Sequence, residues 1–201
     1  MDVLCLDLEG VLIPEIWIGV AERTGIAELR RTTRDIPRYD ELMAFRLDIL
    51  DRHRIDFATI RDVIAGLQPL PGATEFLDWA RLRFQVAVIS DTFYEFAQPL
   101  MAQLGWPMLL CHRLEIVDGR IVGYRLRQTD PKRQAVKAFQ SMRYRVTAVG
   151  DSFNDIPMLE QADYAYFFRC PENVAAQFPQ FARAEDYASL EALLEAKPAS
   201  A

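Results

Sequence analysis

The sequence predicts an α/β protein: a Rossmann-like, three-layer fold in which helices cover both faces of a mostly parallel sheet. Short apolar runs that fit buried strands alternate along the chain with segments of helical periodicity, which is the pattern of such a fold. The first run, residues 2–7, ends abruptly in two carboxylates, Asp7 and Glu9. Two β-rich arms flank an Asp-Gly pair at 118–119, which predicts a hairpin at one edge of the sheet.

The core elements follow from short apolar runs and longer periodic segments, taken in chain order. Strands are predicted at residues 2–7, 86–89, 108–111, 146–149 and 164–168. Helices are predicted near residues 73–82, 93–104, 131–142, 153–161 and 186–196. The hairpin occupies residues 114–124.

Residues 14–71 break this alternation. They carry helix-like patterns near 15–24, 39–53 and 57–66, punctuated by prolines, and no convincing strand. We therefore predict two domains: an α/β core made of residues 1–13 plus 72–201, and a small helical cap, residues 14–71, inserted after the first strand.

Composition limits the classes of function. The chain has 201 residues, 51% of them hydrophobic, and a net charge of −6 with scattered basic residues, so nucleic acids and anionic membranes are not expected as partners. No uncharged apolar run is long enough to span a membrane, and Asp7 and Glu9 interrupt the stretch that a secretory signal would keep uncharged. Three distant cysteines in apolar surroundings, Cys5, Cys111 and Cys170, favour buried thiols and a cytoplasmic protein.

Polar residues follow several predicted strands, where parallel sheets bind ligands. Asp7 and Glu9 are two residues apart, so their side chains are expected on the same side of the chain at the end of the first strand. Ser90 follows the second strand, a Gly-Asp pair at 150–151 follows a later one, and Lys132 stands at the start of a helix. Alone, each fits a cap, a turn or a solvated charge. Together, carboxylates, a hydroxyl and a cation at one edge predict a site for Mg²⁺ and phosphate.

Residues 7–11, Ser90, Lys132 and residues 150–155 resemble the four motifs of the haloacid dehalogenase superfamily of phosphohydrolases, in which a helical cap follows the first motif. Within it the chain is most similar to the phosphoserine phosphatases, in particular to a type described also as a phosphoserine:homoserine phosphotransferase. That closer likeness lies in residues 7–17, 33–37, 90–96 and 130–134. The resemblance implies a Mg²⁺-dependent enzyme acting on O-phosphoserine, a small phosphorylated amino acid, with water or homoserine as acceptor.

The resemblance gives the carboxylates different roles. Asp7 is expected to be the nucleophile that forms an aspartyl phosphate, and Glu9 the general acid and then the general base. Crowding by Asp7 should raise the pKa of Glu9, although a nearby metal opposes that shift. The expected Mg²⁺ ligands are the side chains of Asp7 and Asp151 and the backbone carbonyl of Glu9. Asp155 is expected to orient Lys132 or a metal-bound water.

The remaining expected contacts are to the substrate. Phosphate is expected to be bound by Ser90, the backbone amides of Asp91 and Thr92, Lys132 and Asn154. In the cap, Glu15 and Arg46 match positions at which phosphoserine phosphatases contact their substrate, and suit its ammonium and carboxylate groups. Met43, three residues before Arg46, is expected to wall the pocket. Readings of Arg46 as an exposed helix charge and of Met43 as core stay open.

Glu9 departs from the usual family pattern, which has aspartate at this position. The extra methylene shifts the carboxylate, and small misplacements at a reacting centre are costly. We hypothesise that Glu9 serves a bulkier alcohol better than it activates water, which would favour transfer over hydrolysis. A neutral substitution is the alternative.

Other readings stay open at this point. The same chemistry suits another small phosphomonoester, such as a phosphosugar, phosphoglycolate or a nucleotide. Asp7 could instead be the phosphate acceptor of a signalling module, although the helical insertion better suits a substrate lid. His53 and His112 are expected to be surface or packing residues. The oligomeric state is open, a homodimer included.

Overall fold

A seven-stranded sheet forms the centre of the structure, a computed structural model that describes residues 1–32, 35–36 and 38–196. The strands are β1 (Asp2–Leu6), β2 (Gln85–Phe93), β3 (Met108–Val117), β4 (Arg120–Arg125), β5 (Arg145–Gly150), β6 (Tyr164–Phe168) and β7 (Ala182–Ala184). They lie in the order β4-β3-β2-β1-β5-β6-β7, and each neighbouring pair is parallel except β3 and β4. The predicted α/β class is confirmed.

Strand β1 lies at the topological switch point of the sheet, where successive strands of the chain begin to be added on the opposite side. The chain places β2 on one side of β1 and β5 on the other. The segments that leave the carboxyl ends of β1 and β5 therefore diverge, and a crevice for ligands opens between them. Because Leu6 pairs with Val149, the residues that follow these two strands, Asp7 and Asp151, begin as near neighbours.

Helices cover both faces of the sheet. They are α1 (Ile16–Thr24), α2 (Tyr39–Arg52), α3 (Phe57–Ala65), α4 (Ala73–Arg81), α5 (Tyr94–Gln103), α6 (Pro131–Ser141), α7 (Ile156–Gln161), α8 (Glu172–Ala175) and α9 (Tyr187–Glu195), with 3-10 turns at Ala27–Arg30 and Phe153–Asp155. Along β1, Leu4 and Leu6 pack into a large hydrophobic cluster with α1 to α5 and α9, whereas Val3 and Cys5 pack with α6, α7 and α8. The alternation of a strand thus separates the two helical layers.

The predicted hairpin is present at one edge of the sheet. Asp118 and Gly119 at its turn both have positive φ, 48° and 76°, as a tight turn that follows the strand twist requires. The sequence divided residues 108–111 from the hairpin at 114–124, but β3 is one continuous strand that pairs first with β2 and then with β4. The short β7 and α8 were missed because three or four residues show no measurable periodicity.

The segment 14–71 contains helices α1 to α3, and none of its described residues belongs to a strand of the sheet. The N–H of Leu70 donates to the carbonyl of Leu12 at 2.9 Å, so the two chain crossings at its ends lie side by side. A second attachment lies at the hairpin turn, where the Phe57 N–H donates to the carbonyl of Gly119 at 2.8 Å. The large hydrophobic cluster runs from these helices to β1, and the division into core and cap domains stays a prediction.

Part of the family-like stretch 33–37 falls outside the described residues, namely Thr33, Arg34 and Pro37, as does the tail 197–201. Within the described ranges, no helix combines the length and the apolar character that a membrane crossing requires.

Candidate active site

Three buried carboxylates meet at the crevice beside β1. Asp7 follows β1, Asp151 follows β5, and Asp155 ends the 3-10 turn after it; their exposed fractions are 4%, 6% and 0%. One carboxylate oxygen from each lies within 4.8 Å of the other two. The rule that parallel strands bring their carboxyl ends together therefore holds at this edge.

Two glycines make this close approach feasible. A Cβ on Gly10, whose φ is +79°, would lie 2.6 Å from Asp151 Oδ2. A Cβ on Gly150 would lie 2.4 Å from the side chain of Asp155. Both contacts are shorter than non-bonded atoms tolerate, so the carboxylates are pressed against bare backbone and glycine is required at both positions.

Lys132, at the start of α6, is the buried cation among these carboxylates and is 2% exposed. Its Nζ lies 2.6 Å from Asp155 Oδ1, 3.0 Å from Asp7 Oδ1 and 4.0 Å from Asp91 Oδ2. Burial alone would lower its pKa, but the facing carboxylates hold the pKa of Lys132 well above its ordinary value. The ammonium therefore remains charged throughout the neutral range.

A single ammonium does not balance these carboxylates. Burial, followed by repulsion from Asp155 and Asp151, raises the pKa of Asp7 well above its ordinary value despite Lys132. Both oxygens of Asp155 are already engaged: Oδ1 accepts from Lys132, and Oδ2 accepts the N–H groups of Asp151 (2.9 Å) and Ser152 (3.1 Å). The arrangement fits a hard divalent cation on Asp7 and Asp151, with Asp155 orienting Lys132.

Ser90, Asp91 and Thr92 lie near the end of β2, just before α5 begins at Tyr94. Ser90 and Thr92 are buried, and the Thr92 N–H lies 3.3 Å from Ser90 Oγ. Asn154 reaches the same place from the 3-10 turn, where its Nδ2 donates to Asp91 Oδ2 at 2.9 Å. Hydroxyl and amide donors at the start of a helix suit an anion.

Glu9 is partly buried, and its carboxylate is hydrogen-bonded to the first residue of helix α1. The N–H of Ile16, the first residue of that helix, donates to Glu9 Oε2 at 2.9 Å. Burial raises the pKa of Glu9 to about 8, and repulsion from Glu15 adds to the shift, whereas the Ile16 N–H and Arg46 oppose it. The expected direction agrees, but the expected cause, crowding by Asp7, is wrong as the main one.

One cavity joins this edge of the sheet to the helices of segment 14–71. Its lining residues are Asp7, Glu9, Glu15, Trp17, Thr32, Tyr39, Leu42, Arg46, Ser90, Asp91, Thr92, Asp151, Ser152 and Asn154. Met43 packs behind this wall, with its Sδ 4.0 Å from Arg46 Nη1. Tyr39, Leu42 and Arg46 share one face of α2, a spacing from which the sequence could have identified Tyr39 and Leu42.

Arg46 is buried, 6% exposed, and is not a surface charge. Its guanidinium lies 4.6 Å from the ring centroid of Trp17, and Nη2 donates to the carbonyl of Arg31 at 3.0 Å. Its Nε is buried and has no hydrogen-bond partner among the described residues. The guanidinium is therefore fixed in place with a donor to spare, which suits a carboxylate ligand.

Comparison with known proteins gives concordant findings. A model of the haloacid dehalogenase-like hydrolases matches residues 1–163. The phosphoserine phosphatase ThrH of Pseudomonas aeruginosa is 61% identical over 191 residues, covering 94% of this chain and 93% of that protein. A phosphoserine phosphatase of Pseudomonas syringae pv. tomato is also 61% identical, covering 90% and 77%. A solved phospho-aspartyl intermediate analogue of a phosphoserine phosphatase superposes with a TM-score of 0.79 at 20% identity, covering 97% and 98%.

Proposed function

Because the chain belongs to the haloacid dehalogenase-like hydrolases, we propose that it is a phosphatase whose substrate is O-phosphoserine. One observation carries the proposal: Asp7, whose carboxylate lies 3.0 Å from the buried ammonium of Lys132, lines the same cavity as Glu15 and Arg46. The first pair suits a phosphoryl group, and the second suits the ammonium and carboxylate of an amino acid. The relatives named phosphoserine phosphatase support the same substrate.

In the first half-reaction, an oxygen of Asp7 attacks phosphorus while the bond between phosphorus and the serine oxygen breaks. Glu9, protonated at the start, gives its proton to that oxygen, so serine leaves as a neutral alcohol. Lys132 and the hydroxyl of Ser90 stabilise the charge that spreads over the phosphoryl oxygens. The product of this step is a phosphoryl group on Asp7.

In the second half-reaction, Glu9 is ionised and takes a proton from the incoming hydroxyl group as that group attacks phosphorus. Asp7 is released as a carboxylate, and the cycle closes with Glu9 protonated again. Water gives inorganic phosphate. Homoserine, an amino acid with a hydroxyl group, can use the same contacts to Glu15 and Arg46 and gives phosphohomoserine.

We propose Mg²⁺ as the cofactor, held by the side chains of Asp7 and Asp151 and by the backbone carbonyl of Glu9. The buried cluster of carboxylates and the raised pKa of Asp7 support a divalent cation there. Its chemical contribution is positive charge that keeps Asp7 ionised and offsets the charge of the phosphoryl group.

The proposal is tested by incubating the purified protein with phosphoserine, Mg²⁺ and graded homoserine, and by measuring inorganic phosphate and phosphohomoserine together. We expect phosphate release that Asp7→Asn abolishes. A wild-type protein that becomes phosphorylated on Asp7, keeps the phosphoryl group for a long time and releases no phosphate would indicate a signalling module instead.

Substrate class is tested with Glu15→Ala and Arg46→Ala. We expect each to lose more than about tenfold in kcat/KM with phosphoserine, since a charged hydrogen bond contributes roughly 1.5–3 kcal/mol, and little with p-nitrophenyl phosphate. Equal losses with both substrates would indicate a structural role and leave a phosphosugar, phosphoglycolate or a nucleotide as the substrate. A cytoplasmic location is part of the proposal, supported by three buried cysteines, Cys5, Cys111 and Cys170.

A further inference from the structure

Residues 90–92 form a bulge in the middle of the sheet. Ile89 pairs with Leu110, and Phe93 pairs with His112, so three residues of β2 stand opposite one residue of β3. A bulge turns side chains out of the regular alternation of a strand. Here it directs the side chain of Asp91 toward Asn154 and, on its other side, toward His112.

Asp91 brings a further negative charge to a site that binds an anion. Its carboxylate cannot itself bind phosphate, and its pKa is lowered despite burial, because Lys132, His112 and Asn154 favour the ionised form. This charge opposes the bound phosphoryl group. Its contacts indicate what it contributes in exchange.

The Asn154 amide is held at both ends. Its Nδ2 donates to Asp91 Oδ2 at 2.9 Å, and its Oδ1 accepts from the Ser152 hydroxyl at 2.5 Å. One N–H of the amide is thereby used, and the second N–H is fixed in direction. A fixed donor costs no reorganisation when the phosphoryl group arrives.

His112 lies beside the other oxygen of Asp91. The ring is 1% exposed, and its Nδ1 accepts from the backbone N–H of Arg127 at 3.2 Å. A neutral ring with that acceptor carries its proton on Nε2, which lies 3.5 Å from Asp91 Oδ1. The sequence predicts a surface or packing residue at His112; the structure buries it against Phe93, and only the pairing of β3 with the bulge reveals its contact with Asp91.

We propose that Asp91 and His112 are positioning residues: together they fix the Asn154 amide, and secondarily Lys132, for the phosphoryl group. The inference rests on the proposed phosphatase function but not on the identity of the substrate. Asp91 acts as the acceptor: Asn154 Nδ2 donates to its Oδ2, the N–H of His112 faces its Oδ1, and a carboxylate has an acceptor for each.

The test is a double-mutant cycle between Asp91→Asn and His112→Phe. An asparagine offers one acceptor and one donor, so one of its two neighbours must face another donor. We expect Asp91→Asn alone to weaken the binding of inorganic phosphate in the presence of Mg²⁺, and kcat/KM, about tenfold or more, as for an unsatisfied buried group. In the His112→Phe background that conflict is gone, and the same substitution should cost about threefold or less.

Two controls separate positioning from damage. Asp62→Asn and His53→Phe make the same changes at exposed positions and should leave phosphate affinity unchanged. His112→Gln retains an N–H that can reach Asp91 and a carbonyl for Arg127, so it should keep most of the activity even if His112→Phe does not fold.

Equal costs of Asp91→Asn in both backgrounds, or unchanged phosphate affinity in Asp91→Asn, would overturn the inference. Turnover is followed with phosphoserine and with p-nitrophenyl phosphate. A wild-type protein that binds phosphate and cleaves only the second compound would contradict the proposed substrate while leaving this test intact.

Discussion

Replacing Glu9 by aspartate should change which acceptor receives the phosphoryl group. The perturbation removes one methylene and withdraws the carboxylate from helix α1 by one carbon–carbon bond, about 1.5 Å. The hydrogen bond from the Ile16 N–H, 2.9 Å long in the structure, then stretches beyond the range of such a bond if the backbone stays in place. The carboxylate loses the contact that holds it toward the helical segment.

The magnitude follows from that contact. A hydrogen bond to an ionised group contributes roughly 1.5–3 kcal/mol, and about 1.4 kcal/mol corresponds to tenfold in a rate ratio. Withdrawal of the carboxylate also opens room that a water molecule can fill and that homoserine does not need. We therefore expect the ratio of inorganic phosphate to phosphohomoserine to rise about tenfold in Glu9→Asp.

The assay measures both products at a fixed concentration of homoserine, first for the wild-type protein. Glu22→Asp makes the same change on the exposed surface of α1 and should leave the ratio as it is. An unchanged ratio in Glu9→Asp would refute the reasoning and favour a neutral substitution at this position. A wild-type protein that forms no phosphohomoserine would refute the transfer hypothesis directly.

Three further predictions address the proposed Mg²⁺ site, Gly150 and Arg46. Mg²⁺ at about 100 times its Kd should raise the free energy of unfolding by roughly 2.7 kcal/mol, and Asp151→Asn should abolish that increase in thermal melts with and without chelator. Gly150→Ala should destabilise the protein by about 1–3 kcal/mol in urea titrations because its Cβ has no space, whereas Gly66→Ala, at an ordinary helical φ, should be nearly neutral. Arg46→Lys should raise KM for phosphoserine about tenfold, because it removes the planar guanidinium, and should leave KM for p-nitrophenyl phosphate unchanged. The control, Arg23→Lys on the exposed face of α1, should change neither KM. A similar KM for phosphoserine in both variants would contradict the role assigned to Arg46.

The sheet edge could be predicted from the sequence because its determinants are local. Apolar runs mark the strands, parallel pairing brings their ends together, and the chemistry of Asp7, Lys132 and Asp151 then defines one place. The hairpin was predictable for the same reason, since an Asp-Gly pair specifies its own turn.

Other parts of the site depend on contacts between distant segments. The bulge at residues 90–92 exists only relative to β3, so nothing in those residues alone predicts it or the burial of His112 beside Asp91. The attachment of Glu9 to Ile16 depends on where α1 begins relative to the strand end. Burial is also the main cause of the raised pKa of Glu9, and the spacing of residues in the sequence does not show how deeply a side chain is buried.

The bond between Phe57 and Gly119 joins the helical segment to the edge hairpin, and the bond between Leu12 and Leu70 joins its two ends. An ion pair between Asp51 and Arg120 adds to the contact with the hairpin. A segment that contacts the rest of the protein at two separate places cannot rotate about one of them unless the other contact breaks or moves with it. Any movement of the helical segment away from the sheet edge therefore either carries the hairpin with it or breaks the bond between Phe57 and Gly119. A backbone hydrogen bond contributes only about 1 kcal/mol net, so this bond alone adds little to the cost of such a movement. The position of the edge hairpin is thereby coupled to the position of the helical segment.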